Sequence, residues 1–364
     1  MGRDAVSDPE TTGIRAYVAL MKPRVLVLLQ ITAICAVLIH DALDWRISGE
    51  WDLLHTVQIM FVVIIGGLLT AGGANSINMW YDRDIDPLMT RTANRPIPAG
   101  EIQPLSALLF GIVMSLIGTL WLYVMANPVA AFWASFSVMF YVFVYSIWLK
   151  RTSPQNIVIG GIAGSTPPLV GWSASEQSLE ISTDSLQSMF ESVTEIGSMM
   201  PWLMFFVIFL WTPPHFWALA LYKSKEYGEV GVPMMPNVKG KSRTMLEMKI
   251  YSVALMVVSL YAPIANGHLV DNDTSFHVLR WSCFLLSGWY ASTVWRIDIN
   301  EGLDEKGRMP TAARSFFFSL YYLAMFFLLL VSSSWNLQIS FIGVIICIGI
   351  IFRLESDAKS KERA

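Results

Sequence analysis

The chain has 364 residues, 54% of them hydrophobic and 15% charged, where a soluble domain carries about 25% charge, and its mean hydropathy is +0.50. A formal net charge of −3 leaves no basic surface for nucleic acid. Three cysteines, Cys35, Cys283 and Cys347, stand far apart in apolar runs, and no CxxCH occurs, so a disulfide framework, a zinc site and covalent c-type haem attachment are excluded.

Residues 1–13 are polar and contain acids. They fit neither a cleavable signal nor an Arg-rich, acid-poor transit peptide, so a bacterial inner-membrane protein is expected. Ten apolar stretches follow, at about 24–40, 54–77, 104–125, 129–149, 155–172, 201–222, 249–267, 278–296, 314–333 and 337–353. All are read as helices, because an open strand leaves its backbone unsatisfied in lipid. The fold class is therefore an all-α polytopic membrane protein. With the N-terminus in the cytoplasm, all 25 Lys and Arg except Arg46 and Arg280 fall in inner segments. That bias sets the orientation and favours ten spans over nine, because nine would export the basic tail.

The second span runs into NMWYDRDIDPLMTRTANRPIPAG, residues 78–100, on the inner side. Asn78, Asp82 and Asp86 are spaced i, i+4, i+8. On a helix each step turns about 400°, so the three share one face and drift by only about 80°. Asp84 should face elsewhere. One amide and two carboxylates are hard oxygen ligands suited to Mg²⁺, which leaves positions for water and phosphate. Arg91 and Arg95 follow, and guanidinium groups grip phosphate oxygens in bidentate fashion. Together these residues form a candidate diphosphate site facing the cytoplasm. The competing reading is a charged loop capping two helices.

N78-xxx-D82-xxx-D86 followed by RTxxRPIPxG resembles the first signature of the UbiA-type intramembrane prenyltransferases. Three more segments carry the resemblance into the haem-modifying branch: MKPRV (21–25), YSIWLKRTSPQNIVIGGIAGSTPPLVGW (145–172) and WTPPHFWALALYKSKEYGEVGVPMMP (211–236). The resemblance covers about residues 14–333. It implies a nine-helix UbiA-type bundle, with 1–13 as a cytoplasmic tail and 334–364 as an extra C-terminal transmembrane helix plus basic tail. It also implies Mg²⁺-dependent transfer of farnesyl from farnesyl diphosphate to a vinyl group of haem B, with water addition, giving haem O. The alternative is a UbiA-type enzyme acting on an aromatic or quinone precursor. Contacts with haem A synthase or oxidase assembly factors are a further expectation.

Within this frame Lys150 and Arg151, ending the fourth span, either steer a haem propionate or a diphosphate or serve orientation alone. The stretch 173–200 is acidic, Ser-rich and free of Lys and Arg, and reads as an external insertion with a short amphipathic helix near 186–193. Pro167, Pro168, Pro213 and Pro214 are expected to break or kink the fifth and sixth spans. His215, in PPHFW, is an ionisable side chain at membrane depth and so a functional candidate, as a haem ligand or ring-orienting group; a hydrogen-bonded core histidine is the bland alternative. After the sixth span, the place of the superfamily's second Asp-rich motif holds KSKEYGEVGVP, with Glu226 and Glu229 but no aspartate. That departure puts a second acid-bound metal in doubt. Lys223 and Lys225 then either meet the diphosphate or merely flank the span, and Tyr227 is a candidate for managing the added water. Tyr145 and Trp172 are assigned to the interfacial aromatic belt.

Overall fold

The structure, a computed structural model, describes residues 9–89, 92–223, 233–267, 274–304 and 308–363. Among them every regular element is helical. In chain order they are α1 (Pro9–Leu20), α2 (Pro23–Ser48), α3 (Leu53–Tyr81), α4 (Pro104–Met125), α5 (Pro128–Met139), α6 (Asn156–Ser165), α7 (Pro167–Ser175), α8 (Leu186–Thr194), α9 (Met200–Tyr222), α10 (Met235–Ser259), α11 (Ala262–Asn266), α12 (Thr274–Trp295), α13 (Pro310–Trp335) and α14 (Leu337–Arg363). Short 3₁₀ turns, Asp82–Asp84 and Asp86–Leu88, follow α3, and a π-helical segment, Phe140–Leu149, continues α5.

Seven of the described helices are long and apolar enough to cross a membrane. The three remaining apolar stretches fall on α6 with α7, on α10 with α11, and on α12. The chain is thus a multi-pass membrane protein. Its helices start where local chemistry dictates. Proline stands at or near the first position of α2, α4, α5, α7 and α13, where its missing N–H costs nothing. Asp52 and Asn127 cap α3 and α5 by accepting from His55 and Ala130 amides. Several buried hydroxyls inside spans return to their own helix, as Thr70 to Gly66 O, Ser115 to Gly111 O and Thr212 to Ile208 O, because lipid offers no acceptor.

Close helix seams rest on glycine. A Cβ on Gly73 would lie 2.5 Å from Gly111 O, and one on Gly118 would lie 2.8 Å from Thr70 N, so α3 and α4 pack backbone to backbone. A Cβ on Gly171 would lie 2.2 Å from Ala33 O, which ties α7 to α2 in the same way.

Several expectations are corrected. The single helix end proposed for Asn78, Asp82 and Asp86 stops at Tyr81, and both aspartates sit in 3₁₀ turns. The break expected at Pro167 is present, and the fifth span is two helices meeting at Thr166. The sixth keeps Pro213 and Pro214 inside one helix. The 235–248 stretch, read as loop, is helical, with a left-handed break at Gly240 (φ 80°). The last helix runs past residue 353 to Arg363. It is pinned by Glu355, which accepts from Trp289 Nε1 at 3.0 Å, Arg296 Nη1 at 2.9 Å and Arg314 Nη2 at 2.9 Å. Trp172 is buried, donating to Ile196 O at 3.0 Å, rather than sitting in the aromatic belt. Outside the spans, a helix occupies Leu186–Thr194, where the amphipathic pattern suggests one, and a Ser185–Ser188 capping box closes its start.

Candidate active site

A cavity of about 830 Å³ is enclosed by α2, α3, the loop after α3, the π segment, α6, α7, α9 and α13. That volume is the size of a ligand site. Apolar side chains such as Leu28, Val63, Ala134, Val170, Ile208 and Leu323 line much of it. Charged and amide groups of the lining gather around Lys22, with Asn78, Asp86, Arg95 and Lys150 beside it, and Asn156 lines the cavity from the start of α6.

Each polar group arrives by a distinct backbone device. Lys22 is in the left-handed region (φ 55°, ψ 62°), alone among the described non-glycine residues. This conformation costs about 1–2 kcal/mol and makes the corner between α1 and α2. Lys22 Nζ donates to Asn78 Oδ1 at 2.7 Å. Burial, with the Arg95 and Lys150 charges beside it, pushes the Lys22 ammonium down to about 7. Asn78 Nδ2 donates to Ser146 Oγ at 3.0 Å, and Ser146 donates in turn to Tyr141 O, five residues back.

The π geometry matters for Lys150. Nine residues separate it from Tyr141. An α-helix would turn about 900° over that distance and put the two on opposite faces. A π-helix, with i→i+5 bonds and roughly 4.4 residues per turn, brings them back into line. Tyr141, Tyr145 and Lys150 accordingly line the same cavity, and the two tyrosine rings stack with centroids 5.2 Å apart. Tyr145 is therefore a cavity residue, not a belt residue.

The acids are neutralised by these cations. Asp82 is fully buried, and its Oδ2 accepts from Lys150 Nζ. Its Oδ1 has no hydrogen-bond partner among the described residues, with Arg151 Nη2 3.9 Å away. Asp86 receives Arg95 Nη1 on both oxygens at 2.7 Å. Asp84 faces away, 59% exposed, and takes both Arg151 nitrogens at 2.7 Å. Arg151 also lies over the Tyr81 ring at 4.5 Å, outside the cavity lining.

His215 reaches the cavity from α9. Its ring is sandwiched between Trp211, at 4.2 Å and 20°, and Phe316, at 4.7 Å and 26°. Nδ1 lies 2.5 Å from Ser319 Oγ. That hydroxyl donates to Phe316 O at 2.6 Å, so it accepts from His215. The proton therefore sits on Nδ1, and Nε2 keeps its lone pair.

Of the residues singled out from the sequence, Asn78, Asp86, Arg95, Lys150 and His215 line one cavity, and Asp82 lies directly beneath Lys150. Arg151 is drawn to Asp84 instead. Lys223 caps the end of α9 and is not among the lining residues. Arg91, Lys225 and Tyr227, with Glu226 and Glu229, lie outside the described residues. Sequence reasoning passed over Asn156 and gave Lys22 little weight. Only the Lys-Pro step in MKPRV hinted that a side chain there is held at a corner.

Comparison with known proteins identifies the family and the fold. A model of the UbiA prenyltransferase family matches residues 29–302. The chain is 38% identical over 321 residues to a protoheme IX farnesyltransferase of Bartonella tribocorum, covering 88% of this chain and 91% of that protein. It is 38% identical over 332 residues to that of Parvibaculum lavamentivorans, covering 90% and 92%. Among solved structures, digeranylgeranylglyceryl phosphate synthase superposes with a TM-score of 0.64 at 17% identity, over 89% of this chain and 99% of that one. A UbiA homologue from Archaeoglobus fulgidus, bound to DMAPP and Mg²⁺, gives 0.54 at 15% identity, over 87% and 99%. At those identities the two structures establish the fold alone.

Proposed function

The chain belongs to the UbiA prenyltransferase family, and from that premise we propose that it transfers the farnesyl group of farnesyl diphosphate to the vinyl group of haem B, with addition of water, giving haem O and diphosphate. The observation that carries this reading is one cavity joining an oxygen-and-cation cluster to apolar walls and an oriented histidine. Its curated relatives, at 38% identity over most of the chain, bear the matching name.

Mg²⁺ fits the residues present. Asn78, Asp82 and Asp86 offer only hard oxygens, and Asp82 Oδ1 is a buried acceptor without a hydrogen-bond partner. These three would hold the ion, which when bound offsets negative charge on the departing diphosphate. The chain's own groups do the rest. Arg95, Lys22 and Lys150 supply positive charge beside the diphosphate oxygens. Arg91, Lys223 and Lys225 join them on sequence grounds, as Tyr227 does for the added water. The apolar walls take the isoprenoid tail and keep bulk water from the allylic cation formed as C1–O breaks. His215 Nε2, with its lone pair, would be available to the haem iron. The orientation that follows from the basic segments puts this chemistry at the cytoplasmic side of a bacterial inner membrane, with haem A synthase or oxidase assembly factors as recipients of the product.

The test is an assay of purified protein with haem B, farnesyl diphosphate and Mg²⁺, read by product mass. Haem gaining the mass of a hydroxyfarnesyl addition is the expected result. Unmodified haem together with prenylation of an aromatic or quinone precursor would replace this reading with the other branch of the family.

A further inference from the structure

Helix α6 opens with unsatisfied donors. Its first residue, Asn156, is 2% exposed and lines the cavity, yet its Nδ2 has no hydrogen-bond partner among the described residues. A buried amide donor left unpaired is costly. The preceding Gln155 makes no side-chain cap, and its Nε2 donates to Glu247 Oε2 at 3.2 Å. The Asn156 amide returns to Ser153 O at 3.2 Å and the Ile159 amide to Gln155 O at 3.1 Å. The amides between them, of Ile157 and Val158, find no acceptor among the described residues. A helix N-terminus carries partial positive charge, and here it is reinforced by a desolvated side-chain donor that points to an oxyanion.

Which oxyanion follows from where the cations go. The diphosphate region has Lys22, Arg95 and Lys150. Of the pair suggested for a haem propionate, Arg151 is drawn to Asp84 outside the cavity lining, and Lys150 belongs with the diphosphate cations. The acceptor's carboxylates are thus left without those partners. The register of α6 and α9 brings Asn156 close to the level of His215. A Cβ on Gly161 would meet Thr212 Cγ2 at 3.1 Å, so these residues are abreast. Counting back to Asn156 along α6, and on to His215 along the antiparallel α9, leaves an axial offset of about 3 Å, at 1.5 Å per residue.

We propose that the N-terminus of α6, with the Asn156 amide, is the subsite for a carboxylate of the acceptor, a porphyrin propionate. This rests on the acceptor being haem B, as argued above. The subsite orients the ring, leaving the iron to His215.

The experiment is an equilibrium titration of the full chain in detergent, followed by haem absorbance, with haem B and with its dimethyl ester. Wild type and Asn156→Leu, which keeps the branched side-chain shape and removes the donor, are compared. Wild type should prefer the acid over the ester. The variant should bind the acid about tenfold more weakly, lose that preference, and keep its affinity for farnesyl diphosphate. An acid-over-ester preference equal to wild type overturns the proposal. So does a loss confined to farnesyl diphosphate binding, which would assign the amide to the diphosphate. If Asn156→Leu does not fold, Asn156→Asp decides the point. Its added charge should weaken the acid and spare the ester, and equal weakening of both would overturn the assignment. Absence of any haem titration in wild type would be the distinct failure of the acceptor reading, and the subsite would fall with it.

Discussion

Replacing Lys150 with Met should harm the protein in two separable ways. The Asp82 side chain is 0% exposed and that of Lys150 18%, so their ion pair is held away from water. Without Lys150 the carboxylate keeps only Arg151 Nη2, 3.9 Å away and already committed to Asp84 at 2.7 Å. Removing one partner of a buried pair costs about 3–5 kcal/mol, most of it the penalty of an uncompensated charge. In Asp82→Asn with Lys150→Met both charges leave together. Stability should then recover to within about 1–2 kcal/mol of wild type, a gain of about 2–3 kcal/mol over Lys150→Met. Turnover should not recover, because the site has lost a carboxylate and a cation. Each charge-stabilising group in such a site is worth about 10²–10³ in rate. Denaturant unfolding in detergent reads the first effect, and product mass from haem B and farnesyl diphosphate reads the second. A double variant no more stable than Lys150→Met refutes the buried-pair argument, and one with full turnover refutes the site.

His215→Ala should weaken haem binding about tenfold or more while sparing farnesyl diphosphate; an unchanged haem titration removes His215 from the site. Glu355→Gln removes the charge and one of the two acceptor oxygens shared by Trp289, Arg296 and Arg314. It should cost about 1 kcal/mol and speed hydrogen exchange across the last helix, and unaltered exchange would contradict that pinning. At the end of α7, burial opposes charge on Glu176, but the hydrogen bond from Ser178 and the nearby His40 hold its carboxyl below the ordinary 4.5. A depressed carboxyl stabilises the fold above the unfolded value and loses that contribution as pH falls through the folded one. The stability gap between wild type and Glu176→Gln should therefore be present at neutral pH and close below about 4.5. A gap independent of pH would show that the carboxylate charge is not what matters there.

Much of the site was legible because its signals are local. Hydropathy alone locates the membrane helices, since each must be apolar over its own length. The Asn78–Asp82–Asp86 spacing singles out the acidic cluster even though the helix carrying it ends at Tyr81. The 3₁₀ turns keep Asp86 on the cavity with Asn78, so the spacing led to residues that share one cavity although no single helix carries them. Arg151 went astray for a related reason. Its neighbour Lys150 turns inward at the end of the π segment, and Arg151 meets the exposed Asp84.

The sequence by itself determined an all-helical, many-span membrane protein with an amide, two acids and basic groups near one surface, because apolar run length and residue spacing are properties of short segments. Only the tertiary structure decided which cation meets which acid, since Lys150 and Asp82 are 68 residues apart. It also decided that a π-helical stretch turns Lys150 onto the face of Tyr141, that Lys22 enters the cavity from a left-handed corner, and that Asn156 is buried without a partner. Those outcomes depend on how packed helices exclude water and leave particular donors and acceptors facing one another, which no short window of sequence encodes.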